Sequence, residues 1–185
     1  MLLREQLLNV ENFDDWVLRP ENADHEYEYI AGEISQVVSN PLSSKTAALF
    51  LGYLHIYLQN HDIGHLTGAD GGYQIMGERY IPDAAFISYA RQPQLSLESG
   101  YNPHPPELAI EVLSPSNDDE KLRIKIANYL AAGVLVWVVD LERRAVEVYR
   151  AGRGVRILDD TGTLDGEDVL PDFSLPVALV LPKQA

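Results

Sequence analysis

A chain of 185 residues, 46% of them hydrophobic, has the size and apolar content of one domain around one core, and 23% charged with 9% aromatic residues excludes a disordered or collagen-like polypeptide. The absence of cysteine removes disulfide scaffolds, thiolate metal sites and cysteine nucleophiles, so any metal must be held by oxygen or imidazole. A net charge of −14 argues against nucleic acid as a sum but not as a distribution, because eight of the 14 Lys and Arg residues lie between Lys121 and Arg156.

The opening MLLREQLLNVENFDDW turns acidic before a secretory apolar core could form, and no apolar run approaches the roughly 20 residues that span a bilayer. The expectation is cytoplasmic residence with no membrane partner. HEYEYIAGEISQVVS alternates around Ala31-Gly32 and predicts an N-terminal β-hairpin. From Ser43 or Ser44, the apolar residues Ala47, Ala48, Leu51, Leu54 and Leu58 recur at helical spacing, which predicts a helix ending near Asn60. Strands are expected at Tyr73–Met76, Ile81–Ser88 and Leu108–Leu113, with the proline-rich stretch Arg91–Pro106 as a surface loop.

Ser116 stands three residues before Asp119 like an N-cap, and Leu122, Ile126, Tyr129 and Leu130 form the apolar stripe of a second helix that stops at Gly133. Val134–Val139 reads as a strand buried on both faces, with Ala145–Arg150 as its hairpin partner and irregular β-structure beyond. No repeat, low-complexity tract or linker divides the chain, so one domain over residues 1–185 is expected. The fold class is α/β (α+β): a mixed β-sheet flanked by helices, with the hairpin at its start.

Glu111 interrupts the apolar run Leu108-Ala109-Ile110-Glu111-Val112-Leu113, and Asp83 similarly precedes Ala84-Ala85-Phe86-Ile87. An unpaired carboxylate in a doubly buried strand costs several kcal/mol, so Glu111 must be protonated, paired with a base or bound to a cation. Two carboxylates on neighbouring strands form the oxygen cage of Mg²⁺ or Mn²⁺; Lys121 and Lys125, four apart on the following helix, could aim an ammonium at them. The residues alone leave a second reading open, a structural ion pair between Glu111 and a lysine. Ser114-Pro115-Ser116 lacks the nucleophile elbow, Gly71-Gly72 lacks the phosphate-loop pattern, and His61 and His65 straddle a helix end. Trp137, inside an apolar run, reads as core.

Y-E-x-I-x-G-E (Tyr27 to Glu33), P-D-A-A-F (Pro82 to Phe86), P-P-E-L-A-I-E-V-L-S-P-S (Pro105 to Ser116), K-x-x-x-Y-L-x-x-G-V, W-V-V-D and L-P-D-F-S-L-P (Leu170 to Pro176) follow one another in order. This series resembles the Uma-two family of restriction endonucleases, a variant of the PD-(D/E)XK nuclease superfamily, over nearly the whole chain. The resemblance implies one PD-(D/E)XK nuclease-like domain, a restriction-endonuclease-like sheet, and a Mg²⁺- or Mn²⁺-dependent endonuclease acting on DNA or RNA, plausible as a homodimer. It assigns the metal to Asp83 and Glu111, the catalytic lysine to Lys125, with Lys121 as second choice, and a place facing the site to Glu28. The superfamily lysine two residues after the acid is replaced here by Leu113, and a histidine at the start of the first predicted helix by Lys45. The missing lysine and the net charge keep an alternative: a catalytically inactive nuclease-fold domain that binds nucleic acid or a protein partner.

Overall fold

Asn9 accepts the Asn12 N–H with its side chain and caps a helix, α1 (Val10–Val17), that the sequence reading did not anticipate. The helix is held from a distance. Phe13 is buried against Tyr29 and Tyr101, and Asp14 receives both Nε and Nη2 of the buried Arg79 at 2.8 and 2.5 Å. This computed structural model describes residues 9–114 and 118–182.

Ala31 and Gly32 both carry positive φ, 53° and 84°, the turn geometry that matches hairpin twist, and they join β1 (Tyr27–Ile30) to β2 (Glu33–Gln36) as expected. The next helix, α2 (Pro41–Leu58), starts two residues before the predicted Ser43. Asn40 accepts the N–H groups of Leu42 and Ser43, and Pro41, which has no N–H to satisfy, occupies the first turn. Then follow β3 (Gly64–Gly68), β4 (Tyr73–Ile75), β5 (Glu78–Tyr80) and β6 (Ala84–Ser88). The strand expected over Ile81–Ser88 starts only at Ala84. Pro82 cannot donate to a ladder, and Ile81–Asp83 instead carries the chain from one sheet to the other.

Past the loop come β7 (Leu108–Val112) and α3 (Asp119–Ala131). The predicted cap Ser116 lies outside the described residues; Asp118 caps α3 by accepting the N–H groups of Glu120 and Lys121. Gly133 (φ 78°) ends the helix, with its N–H on Leu130 O and that of Val134 on Tyr129 O, a Schellman closure that leads directly into β8 (Leu135–Asp140). The remaining strands are β9 (Ala145–Tyr149), β10 (Arg156–Leu158), β11 (Thr163–Gly166) and β12 (Leu170–Pro176).

Six strands in the order β10-β9-β8-β7-β6-β3 form the central sheet, mixed because β7 and β8 run parallel while the other neighbours are antiparallel. Each face buries its own core. On one, Phe50 and Leu54 of α2 and Phe173 of β12 pack on Ile110, Trp137 and Val139; on the other, Tyr129 of α3 and Ile75 and Tyr80 of the four-stranded sheet β2-β1-β5-β4 pack on Ala109, Val136 and Val138. Trp137 is fully buried, between Phe50 and Phe173, as its sequence context implied. Among the described residues no helix is long and apolar enough to cross a membrane.

Candidate active site

Strand alternation decides where Glu111 emerges. Leu108, Ile110 and Val112 enter the α2-side core, so Ala109 and Glu111 face α3. Asp83 stands one residue before Ala84, whose antiparallel partner is Ile110; one more step of that register sets Asp83 opposite Glu111. Its Oδ2 accepts the Val112 N–H at 2.6 Å.

Lys125 and Tyr129, one turn apart on α3, descend on this end of the sheet. Lys125 Nζ donates to Glu111 Oε2 and to Glu28 Oε1, both at 2.8 Å, and the Tyr129 hydroxyl donates to Glu111 Oε1 at 2.9 Å. Glu28 arrives from β1, and its Oε1 also accepts the Ile81 N–H at 2.7 Å. Glu28, Glu111 and Lys125 are each buried. The four residues singled out from the sequence, Glu28, Asp83, Glu111 and Lys125, thus line one cavity of about 220 Å³. Lys121 lines it too, ion-paired at 3.2 Å with Glu33 of β2.

Burial is the largest influence on the charges here. It pushes the Glu111 carboxyl up to about 7; Lys125 opposes that rise, while Glu28 and Asp83 add to it. Asp83 is also raised by burial, against the Val112 hydrogen bond and the Lys125 charge. For Lys125 burial alone would favour the neutral amine, but Glu111 and Glu28 outweigh it and hold the ammonium above its ordinary range. Tyr129 is raised by burial and by Glu111, which keeps it a hydrogen-bond donor.

Tyr129 stood in the sequence both in the apolar stripe of the helix and in the K-x-x-x-Y pattern with Lys125, and was given no role there. Ser114 also borders the cavity, whereas Ser116 lies outside the described residues. The histidines do not assemble. His61 stacks on Tyr57 and His65 packs edge-on to Tyr89. A larger groove of about 850 Å³ shares Ser114 and Leu122 with the cavity, but its Asp140 and Glu147 are engaged by Arg143 at the surface.

The basic window folds differently from a free cationic face. Lys121, Lys125, Arg143, Arg144, Arg150, Arg153 and Arg156 all form ion pairs with acids of this chain, and Glu167 alone draws Arg150, Arg153 and Arg156. Among the described residues Arg123 is the one basic group of that window without an ion pair.

The donor set fits a hard divalent cation. Glu28, Asp83, Glu111 and Asp118 line the cavity together with Lys125 and Lys121, and among the described residues Asp83 Oδ1 and Glu28 Oε2 accept no hydrogen bond. Among those residues no three Asp, Glu or His side chains converge as an all-protein cage. Mg²⁺ does not need one, since it takes one or two carboxylates and keeps several waters.

Residues 10–178 match the family model described as "Uma2: Putative restriction endonuclease". Among solved structures, one described as a "putative nuclease belonging to DUF820" from Anabaena variabilis is similar over 94% of this chain and 97% of its own, with a TM-score of 0.80 and 18% sequence identity. At that identity the likeness is one of fold. No match was found among curated proteins.

Proposed function

The chain belongs to the Uma2 family, and from that premise we propose that it is a metal-dependent endonuclease hydrolysing phosphodiester bonds of DNA. One observation carries the proposal: Glu28, Asp83 and Glu111 meet at the end of the central strand, and among the described residues the one cation paired with any of them is Lys125, which binds Glu28 and Glu111 and leaves an excess of negative charge that a divalent ion would balance. Asp83 and Glu111 would hold Mg²⁺ or Mn²⁺, which when bound acidifies a water and offsets charge on the scissile phosphate.

The chain's own residues set the geometry. Lys125 ties Glu28 to Glu111 and fixes the carboxylates at strand and hairpin, and the Tyr129 hydroxyl orients the second oxygen of Glu111. An ammonium has three N–H groups; two of those on Lys125 are taken by carboxylates, and the third is left to hold the attacking water. Glu28 Oε2, which accepts no hydrogen bond among the described residues, can take up a proton from that water. A single such centre cuts one strand, so a double-strand cut needs a homodimer or two events. RNA carries the same phosphodiester and would be attacked by the same groups.

The ion-paired basic window favours a second reading, a silent nuclease-fold domain whose partner is a protein, because few cations are left to meet a phosphate backbone. Thermal unfolding separates the two. Millimolar Mg²⁺ or Mn²⁺ is expected to raise the melting temperature of wild type by several degrees and to leave Asp83→Ala and Glu111→Ala unmoved. An equal rise in all three proteins, or none in wild type, would remove the metal site.

A further inference from the structure

Two lysines border the cavity, and they are not equivalent. Lys125 sits at its floor with its side chain 8% exposed, bound to two buried carboxylates at 2.8 Å and lying 5.6 Å from the centre of the Tyr80 ring. Its third N–H is given to the water, and swinging the ammonium out to a phosphate at the rim would strip Glu28 and Glu111 of their counter-charge in a buried site, which is strongly unfavourable. Lys121, one helical turn closer to the start of α3, has a 25% exposed side chain and a single ion pair. Its partner Glu33 is 65% exposed, so that pair is exchanged for another anion at little cost. The contact to Ser35 Oγ, at 3.5 Å, is at the limit of a hydrogen bond.

Resting on the nuclease reading, we infer that Lys121 is the group that contacts a substrate phosphate, and that Glu33 of the β-hairpin holds its ammonium at the cavity rim until the phosphate displaces it. Lys125 then positions carboxylates, and Lys121 binds the nucleic-acid backbone. The hairpin acid competes with substrate for the same cation, so Glu33 weakens binding and Lys121 strengthens it.

The test is binding of a fluorescein-labelled oligonucleotide, single- and double-stranded, in EDTA across a salt series, with wild type, Lys121→Ala, Lys121→Arg, Glu33→Gln and the double variant. Lys121→Ala is expected to weaken binding about five- to tenfold and to flatten the dependence of log K on log salt by about one phosphate contact. Lys121→Arg should restore both. Glu33→Gln should tighten binding a few-fold in the wild-type background and have no effect beside Lys121→Ala. If wild type binds and cleaves while Lys121→Ala has unchanged affinity and salt slope, or Glu33→Gln acts equally in both backgrounds, the Lys121 role is overturned and the nuclease survives. Wild type that neither binds the oligonucleotide nor cleaves it with Mg²⁺ or Mn²⁺ overturns both.

Discussion

A carboxylate on a strand buried on both sides must be neutralised by a proton, a base or a metal, and Glu111 finds the base within its own chain, Lys125 at 2.8 Å. Its folded carboxyl is pushed up to about 7 from an ordinary 4.5, so between those values the folded protein holds a proton that the unfolded chain has released. Stability from this group therefore falls as pH rises through that window, is unaffected below it, and is fully lost above it, by about 3 kcal/mol at most. Denaturant titrations of metal-free protein from about pH 5 to about pH 8 should show this decline in wild type and most of it abolished in Glu111→Gln, with the remainder due to Asp83, whose carboxyl is raised in the same direction. Equal declines in the two proteins would assign the burial penalty elsewhere. Asp83 and Glu111 were legible in the sequence because each breaks an apolar run, a signal that needs no partner to be seen. Glu28 was not legible on those terms, since an acid in an alternating hairpin is ordinary; only the resemblance singled it out. Its burial depends on Lys125 and Ile81, 97 and 53 residues away in sequence.

Elements whose reasons are local were read well, and those whose reasons are distant were not. The Ala31-Gly32 hairpin, the Gly133 stop and the apolar β8 carry their own turn chemistry and patterning. Helix α1 does not: its buried contacts are Phe13 on Tyr29 and Tyr101 and Asp14 on Arg79, all contributed by later segments. Strand β3 begins and ends in glycine and exists because it pairs with β6 at the sheet edge. Strand β5 was missed because only Glu78–Tyr80 lies between the Met76-Gly77 turn, with φ of 50° and 88°, and Ile81-Pro82, three residues being too few for alternation to show. The cap of α3 matters most for function, because this helix delivers both Lys125 and Tyr129. Asp118→Ala removes the acceptor for the Glu120 and Lys121 N–H groups and should cost about 1 kcal/mol in urea unfolding. Asp118→Asn should recover most of that, since amide and carboxylate oxygens both cap; a loss equal to that of alanine would mean that charge rather than the cap is what α3 needs.

At the scale of the molecule, the match over residues 10–178 fixes the family and the similarity to the Anabaena variabilis structure fixes the fold. Charge distribution along the sequence was a poorer guide. The cluster of basic residues between Lys121 and Arg156 is real, yet acids outside that window, Glu33 far upstream and Asp160, Asp165, Glu167 and Asp168 in the segment that follows it, neutralise most of it. A linear count has no access to those partners, because sheet pairing and the β11–β12 hairpin bring them in. What survives is a small cavity rich in carboxylates at the end of the central strand, and the claim that it is a metal-dependent nuclease centre. Incubating supercoiled plasmid and single-stranded DNA at low salt with Mg²⁺ or Mn²⁺, beside Glu111→Ala and an EDTA control, tests that claim most directly. Nicking that requires the metal and vanishes in Glu111→Ala is the expected result; cleavage that persists in Glu111→Ala, or its absence from wild type with either metal, would contradict it.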